Sequence, residues 1–188
     1  MSWLEKARGF KRLAARWPVL LLALLAGGCF QPLYGDRSVT GGPGISNYLS
    51  AVEVAQIDAP NGTPAARLAV EVRNQLLFDL TGGAAPSTPT HQLKIALNST
   101  QTQVIVDVNT ARPEVQNYGI NAVYSLTDLA TKKVVISGQT FARVSYDIPG
   151  QQQRFAAARG LRDAENRAAK VIADQIQSRL ASFFVTGS

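Results

Sequence analysis

Tyr118-Gly119-Ile120-Asn121-Ala122-Val123-Tyr124-Ser125-Leu126-Thr127 decides the fold. Tyr118, Ile120, Ala122, Tyr124 and Leu126 share one face of an extended chain, and Gly119, Asn121, Ser125 and Thr127 share the other. Alternation with one apolar and one polar face is the pattern of an antiparallel sheet covered on one side only. The segment before it repeats the pattern. Leu93, Ile95 and Leu97 alternate with Gln92, Lys94 and Ala96, and a polar middle leads on to Val104, Val106 and Val108. Asn109 to Pro113 turns the chain. The segment after it, from Lys133 to Asp147, puts Val134, Ile136, Ala142, Val144 and Tyr146 on one face, with Gly138 read as a bulge. Asp128-Leu129-Ala130-Thr131-Lys132 joins the two strands as a hairpin. The strands are expected to be long, about 12–16 residues against a common length of about 5–6.

Two stretches change to the helical period. Thr63 caps a helix whose first position is Pro64, where a missing N–H costs nothing. Leu68, Val72, Leu76 and Leu80 then recur every four residues until Thr81-Gly82-Gly83 stops them. From Gln151 to Phe184 a second stripe runs through Phe155, Ala158, Leu161, Ala164, Ala168, Val171, Ile172, Ile176, Leu180 and Phe183. Arg159, Arg162, Asp163, Glu165, Arg167, Lys170 and Asp174 make its solvated side, and Gly160 marks a bend or the true helix start. Tyr48 to Asp58 reads as a first strand. The order is β-α-β-β-β-α, an α+β fold with two helices packed on one face of a four-stranded, mostly antiparallel sheet.

Ahead of this domain the chain is built differently. Leu20-Leu21-Leu22-Ala23-Leu24-Leu25-Ala26-Gly27-Gly28-Cys29 follows a start that holds Lys6, Arg8, Lys11, Arg12 and Arg16 against one acid, Glu5. A positive start, a short apolar core and a small-small-Cys end is the pattern of a lipoprotein signal peptide. The apolar run from Val19 to Gly28 is half the length that a membrane span needs, about 20 residues. A buried core helix would have no use for the basic leader. The expected organisation is therefore a signal peptide over 1–28, a lipid anchor and flexible tether over 29–47, and one domain over 48–184. Cleavage falls between Gly28 and Cys29. Cys29 then carries fatty acyl chains such as palmitate, and no other cofactor is expected.

The basic balance belongs mostly to this leader. The chain has 19 Lys and Arg against 13 Asp and Glu. Removing the leader's five bases and one acid leaves 14 against 12, a nearly neutral domain with no basic run interleaved with aromatics, so nucleic acid is not an expected partner. One cysteine allows no internal disulfide. One histidine, His91, makes a metal site of His and Cys ligands untenable, and no catalytic set forms around it, so no enzyme is expected. Two cationic sets remain. Arg154, Arg159, Arg162, Arg167 and Lys170 lie on the last helix, largely balanced by acids. Arg112, Lys132 and Lys133, with Arg143, lie near the sheet turns, where loop-borne charge at a sheet end suits an anionic ligand.

Cys29-Phe30-Gln31-Pro32-Leu33-Tyr34-Gly35 is similar to the Cys-Gly-Phe-x-Pro-Leu-Tyr start of the LptE family of lipopolysaccharide-assembly lipoproteins, in its alphaproteobacterial branch. Phe30 stands where the family has glycine. Arg162-Asp163-Ala164-Glu165-Asn166-Arg167-Ala168, then Ala173-Asp174-Gln175-Ile176 and Arg179-Leu180, also resemble that branch. The resemblance implies an outer-membrane lipoprotein facing the periplasm. It also implies a large outer-membrane β-barrel partner, which the protein plugs or assists during lipopolysaccharide insertion. The other reading of the anchored domain is an accessory lipoprotein of another envelope transport system. Arg112, Lys132 and Lys133 are the expected lipopolysaccharide contacts, on placement alone.

Overall fold

The computed structural model describes residues 44–84, 87–107, 112–148 and 154–186. The leader, Cys29 and the tether up to residue 43 lie outside them. Within them the order is α1 (Ile45–Ser50), β1 (Val52–Val54), α2 (Pro64–Thr81), β2 (His91–Asp107), β3 (Arg112–Asp128), β4 (Val134–Asp147) and α3 (Arg154–Thr186). The sheet order is β1-β2-β3-β4. β1 runs parallel to β2, with α2 as the crossover between them, and the other two pairings are antiparallel. β2 and β3 are 17 residues each and β4 is 14. Strands of that length extend about 50 Å at ~3.3 Å per residue.

The expected strand over Tyr48–Asp58 is corrected. Ile45–Ser50 is helical, and only Val52–Val54 pairs with β2. The apolar residues of this stretch do not alternate, and a helical turn drops Leu49 into the core while Val52 and Val54 face inward from the strand. The last residues assigned to the tether thus belong to a turn of helix whose preceding Gly44 is buried.

α2 starts as read. The Thr63 hydroxyl accepts from the Ala66 N–H at 3.2 Å. The helix ends at Gly82, whose φ of 63° is left-handed and lets its N–H reach Phe78 O at 2.8 Å. Arg67 pairs with Glu165 and the Gln177 amide donates to Asp79 O, two links with the same sequence separation of 98 residues. α2 and α3 therefore run in the same direction, side by side, over about three turns. α2 covers β1 and β2, and α3 covers β3 and β4.

α3 is not packed through the large residues of the expected stripe alone. Ala164, Ala168, Ala169, Ala173 and Ala181 are fully buried beside Ile172, Ile176 and Leu180, whereas Phe155 is 88% exposed and Val171 is at the surface. Gly160 is not the start of α3, which begins at Arg154. A methyl there would stand 3.3 Å from Asp147 O and 3.6 Å from the Tyr146 ring, so the glycine permits a close approach of α3 to the end of β4. Glu165, assigned to the solvated face, is buried. Its carboxylate accepts from Arg67 at 2.6 Å, with side-chain exposures of 5% for Glu165 and 48% for Arg67. A buried carboxylate needs such a partner.

Gly138 is not a bulge. It pairs in register with Tyr124, and a methyl on it would come 2.6 Å from the Tyr124 hydroxyl and 2.7 Å from its Cζ. The glycine is the space in which the buried Tyr124 lies. The register shift falls instead between Leu126 and Thr127, where Val135 is the extra residue of β4. That shift turns Val134 outward, to 60% exposure, against the expectation that it faces the core.

Two stability measurements check this packing. Gly138→Ala should cost about 1–3 kcal/mol of unfolding free energy. Adding Tyr124→Leu, which vacates the ring position, should make the same glycine change less costly, and equal losses in both backgrounds would contradict the account. Arg67→Met should cost about 1–3 kcal/mol because it strands a buried carboxylate. The double change Arg67→Met with Glu165→Met should cost less than Arg67→Met alone, a sign that a repulsive burial has been relieved.

Candidate functional site

The inner sheet face is spent on the core. Tyr118, Ile120, Ala122, Tyr124 and Leu126 are buried, as are Leu93, Ile95, Ala142 and Tyr146. Burial pushes the Tyr118, Tyr124 and Tyr146 hydroxyls above the ordinary tyrosine range. Tyr146 donates to Gln116 at 2.6 Å. These groups belong to the core that the helices cover.

The outer sheet face is left uncovered by the helices among the described residues. It carries Asn98, Thr100, Asn117, Asn121, Ser125, Ser137, Gln139 and Ser145. Cross-strand contacts are polar: the Ser145 hydroxyl donates to Asn117 Oδ1 at 2.7 Å, and Gly119 leaves room for Thr100, whose hydroxyl oxygen would stand 2.9 Å from a methyl at that position. Glu53, Lys94, Arg143 and Asp147 are its exposed charges, two of each sign, set among neutral hydrogen-bonding groups. Phe141 at 70% exposure and Val123 at 53% form an apolar spot on it, next to Ala96. The alternation of β3 made this face legible. Its apolar spot carries no signal in that alternation, because Val123 and Phe141 fall in the otherwise polar rows of β3 and β4.

The expected cationic contacts divide between the two ends of the sheet. Arg112 begins β3, paired with Asp107, and its side chain lies outside the described part. Lys132 and Lys133 lie beyond Asp128 at the other end of β3, about 50 Å away along the strand. The three do not form one site. Arg143 faces outward within β4 and belongs to neither end.

The hairpin that presents Lys132 and Lys133 is tightly built. Asp128 Oδ1 accepts from the N–H groups of Ala130 at 2.7 Å and Thr131 at 2.9 Å. These bonds, Thr131's first, hold the Asp128 carboxyl below the usual carboxylate range. Their stabilisation is present above the unfolded carboxylate value and is lost as pH falls through the lowered folded value. Asp128 O accepts from Lys132 N, and Asp128 N donates to Lys133 O, both at 2.9 Å. Lys132 sits at φ 59°, a left-handed conformation that closes the turn and exposes its side chain.

The basic face of α3 is partly neutralised. Arg167 Nε bonds Asp163 at 2.7 Å and its guanidinium also donates to Ser145 O at 3.2 Å, while Lys170 reaches Asp174 at 3.3 Å. Arg159 and Arg162 are exposed. Asp79, between α2 and α3, has its carboxyl raised by burial, opposed by the Gln75 amide bond at 3.0 Å. His91 is half-buried; its Nδ1 lies 2.8 Å from the Thr90 hydroxyl and its ring meets Phe184 edge-on. Among the described residues no three His, Cys, Asp or Glu side chains gather as metal ligands, and no helix is long and apolar enough to cross a membrane. Gly28 and Cys29 lie outside the described residues.

No curated protein matches the sequence. Solved structures do share the fold. A chain described as a candidate lipoprotein of Caulobacter crescentus superposes with a TM-score of 0.61 at 21% identity, over 76% of this chain and 96% of that one. Lipoprotein B of Nitrosomonas europaea gives 0.51 at 13% identity, over 73% and 90%. Rare lipoprotein B of Shewanella oneidensis gives 0.50 at 13%, over 71% and 96%. The family model described as "LptE: Lipopolysaccharide-assembly" matches residues 49–180, from the buried Leu49 of α1 to the buried Leu180 of α3. That span takes in the whole of α2, the four strands of the sheet and α3 as far as Leu180, and this chain accordingly belongs to the LptE family.

Proposed function

We propose that this protein is a non-catalytic outer-membrane lipoprotein of lipopolysaccharide assembly, anchored on the periplasmic face through an acylated Cys29. Its domain plugs or assists a large β-barrel translocon. The family supports the lipopolysaccharide role. The observation that carries the partner is the outer sheet face: a long surface of Asn, Gln, Ser and Thr with few charges. The lumen of a large outer-membrane barrel is polar, and neutral hydrogen-bonding groups can mate with it in almost any register. Like charges facing one another in such a space would cost several kcal/mol.

Lipopolysaccharide carries phosphates, and ammonium and guanidinium groups are their natural partners. Arg112 and the Lys132–Lys133 pair, one at each end of β3, act in this reading as two separate contacts.

Two experiments test this reading. A photo-reactive side chain at Asn121, in the full lipidated protein in its native envelope, should capture a large outer-membrane β-barrel protein. Capture of an inner-membrane transporter subunit instead would place the protein in a different envelope system. For the lipid, Lys132→Glu with Lys133→Glu should weaken binding of purified lipopolysaccharide by roughly 30-fold, and separately Arg112→Glu by roughly fivefold, on the order of 1 kcal/mol per cation removed. Unchanged binding in both variants would remove these residues from the lipid contact.

A further inference from the structure

The end of the domain at which the described chain begins combines apolar and cationic surface. Tyr48 of α1 stacks on Phe184 near the end of α3, ring centroids 5.6 Å apart, and His91 meets the same ring at 5.3 Å. The β3–β4 hairpin adjoins this corner, because Leu129 N donates to Thr90 O at 2.9 Å and His91 pairs with Asp128 across the sheet. Tyr48, Val134, Val135 and Val185 are all exposed large apolar side chains of this end. Lys132 and Lys133 stand exposed beside them and have no ion-pair partner among the described residues. Single exposed apolar residues need no explanation, but a set gathered at one end beside unpaired cations marks an interaction surface.

The direction of the chain points to the occupant. Residues 30 to 43 join Cys29 to Gly44, and Gly44 lies at this end, directly ahead of α1. A chain of that length reaches at most about 50 Å. The opposite end, where β4 finishes at Asp147 and α3 starts at Arg154, is a further strand length away. With Cys29 acylated, as proposed above and on which this inference rests, the lipid therefore sits nearest the end that carries the apolar and cationic set. Tyrosine and aliphatic side chains partition into the headgroup region, and lysines reach lipid phosphates from it.

We propose that this end is a docking surface for the phospholipid leaflet that holds the anchor. Tyr48, Val134, Val135 and Val185 enter the headgroup region, and Lys132 and Lys133 meet its phosphates. The result is a domain fixed at the leaflet by its anchor end, with the outer sheet face kept off the lipid. An anchor alone would leave the domain to tumble on its tether.

The test uses the full lipidated chain in vesicles of phosphatidylethanolamine and phosphatidylglycerol. Single cysteines at Val135, Val185 and, as the control on the outer sheet face, Val123 carry an environment-sensitive fluorophore; acylation leaves Cys29 unreactive. Spin-labelled headgroups should quench the Val135 and Val185 probes several-fold more than the Val123 probe. Lys132→Gln with Lys133→Gln should weaken docking roughly 30-fold, and added salt should weaken it in the parent protein. Equal quenching at the three positions, with the protein still sedimenting with the vesicles, would overturn the docking surface and leave the anchor standing. Protein left in the supernatant would overturn anchor and docking together. Quenching that appears only when lipopolysaccharide is added would overturn the phospholipid surface.

Discussion

Ala164, Ala168, Ala169, Ala173 and Ala181 place five fully buried methyl groups between α3 and the layers beneath and beside it. Small side chains let a helix approach its neighbours closely, and here α3 has neighbours on two sides, the sheet and α2. Gly160 extends the same close contact to the end of β4. The parallel course of α2 and α3 depends on this approach, and so does the Arg67–Glu165 pair that links them. Larger residues at these positions would lift α3 and open the core above β3 and β4. With both helices committed to one sheet face, no element of the described domain remains to cover the other.

The functional surfaces follow from that asymmetry. The outer sheet face has to be compatible with water or a wet partner, and its neutral hydrogen-bonding side chains suit both. The long antiparallel strands separate the two ends of the sheet by about 50 Å. Each end then carries its own charge: Arg112 opens β3 at one, and the rigid Asp128 turn presents Lys132 and Lys133 at the other. The sheet thus presents one polar face and two charged ends, set apart from one another by the length of its strands.

Much of this was legible in the sequence, for a physical reason. Burial on one face imposes a period, and the periods of β3 and α2 survive intact from residues to structure. The Thr63 cap, the Pro64 start and the Gly82 stop are local rules and held locally. What failed depended on contacts between distant segments. Nothing near Glu165 reveals that Arg67 will meet it, and nothing near Gly138 reveals that Tyr124 needs its space. The extra residue at Val135 reverses the facing of Val134, which alternation alone cannot detect. The short apolar run Leu49, Val52, Val54 fits a strand as well as a helical turn followed by one. For the candidate site, residue types and the polar face were visible, but grouping Arg112 with Lys132 and Lys133 required the strand between them to be short, and it is 17 residues long.

The central claim is that this chain serves lipopolysaccharide assembly at the outer membrane. The most direct measurement depletes the protein in the cell that makes it and follows newly made lipopolysaccharide at the cell surface. The account predicts that surface lipopolysaccharide falls and is restored by the wild-type chain. Surface lipopolysaccharide that stays unchanged through depletion would contradict it.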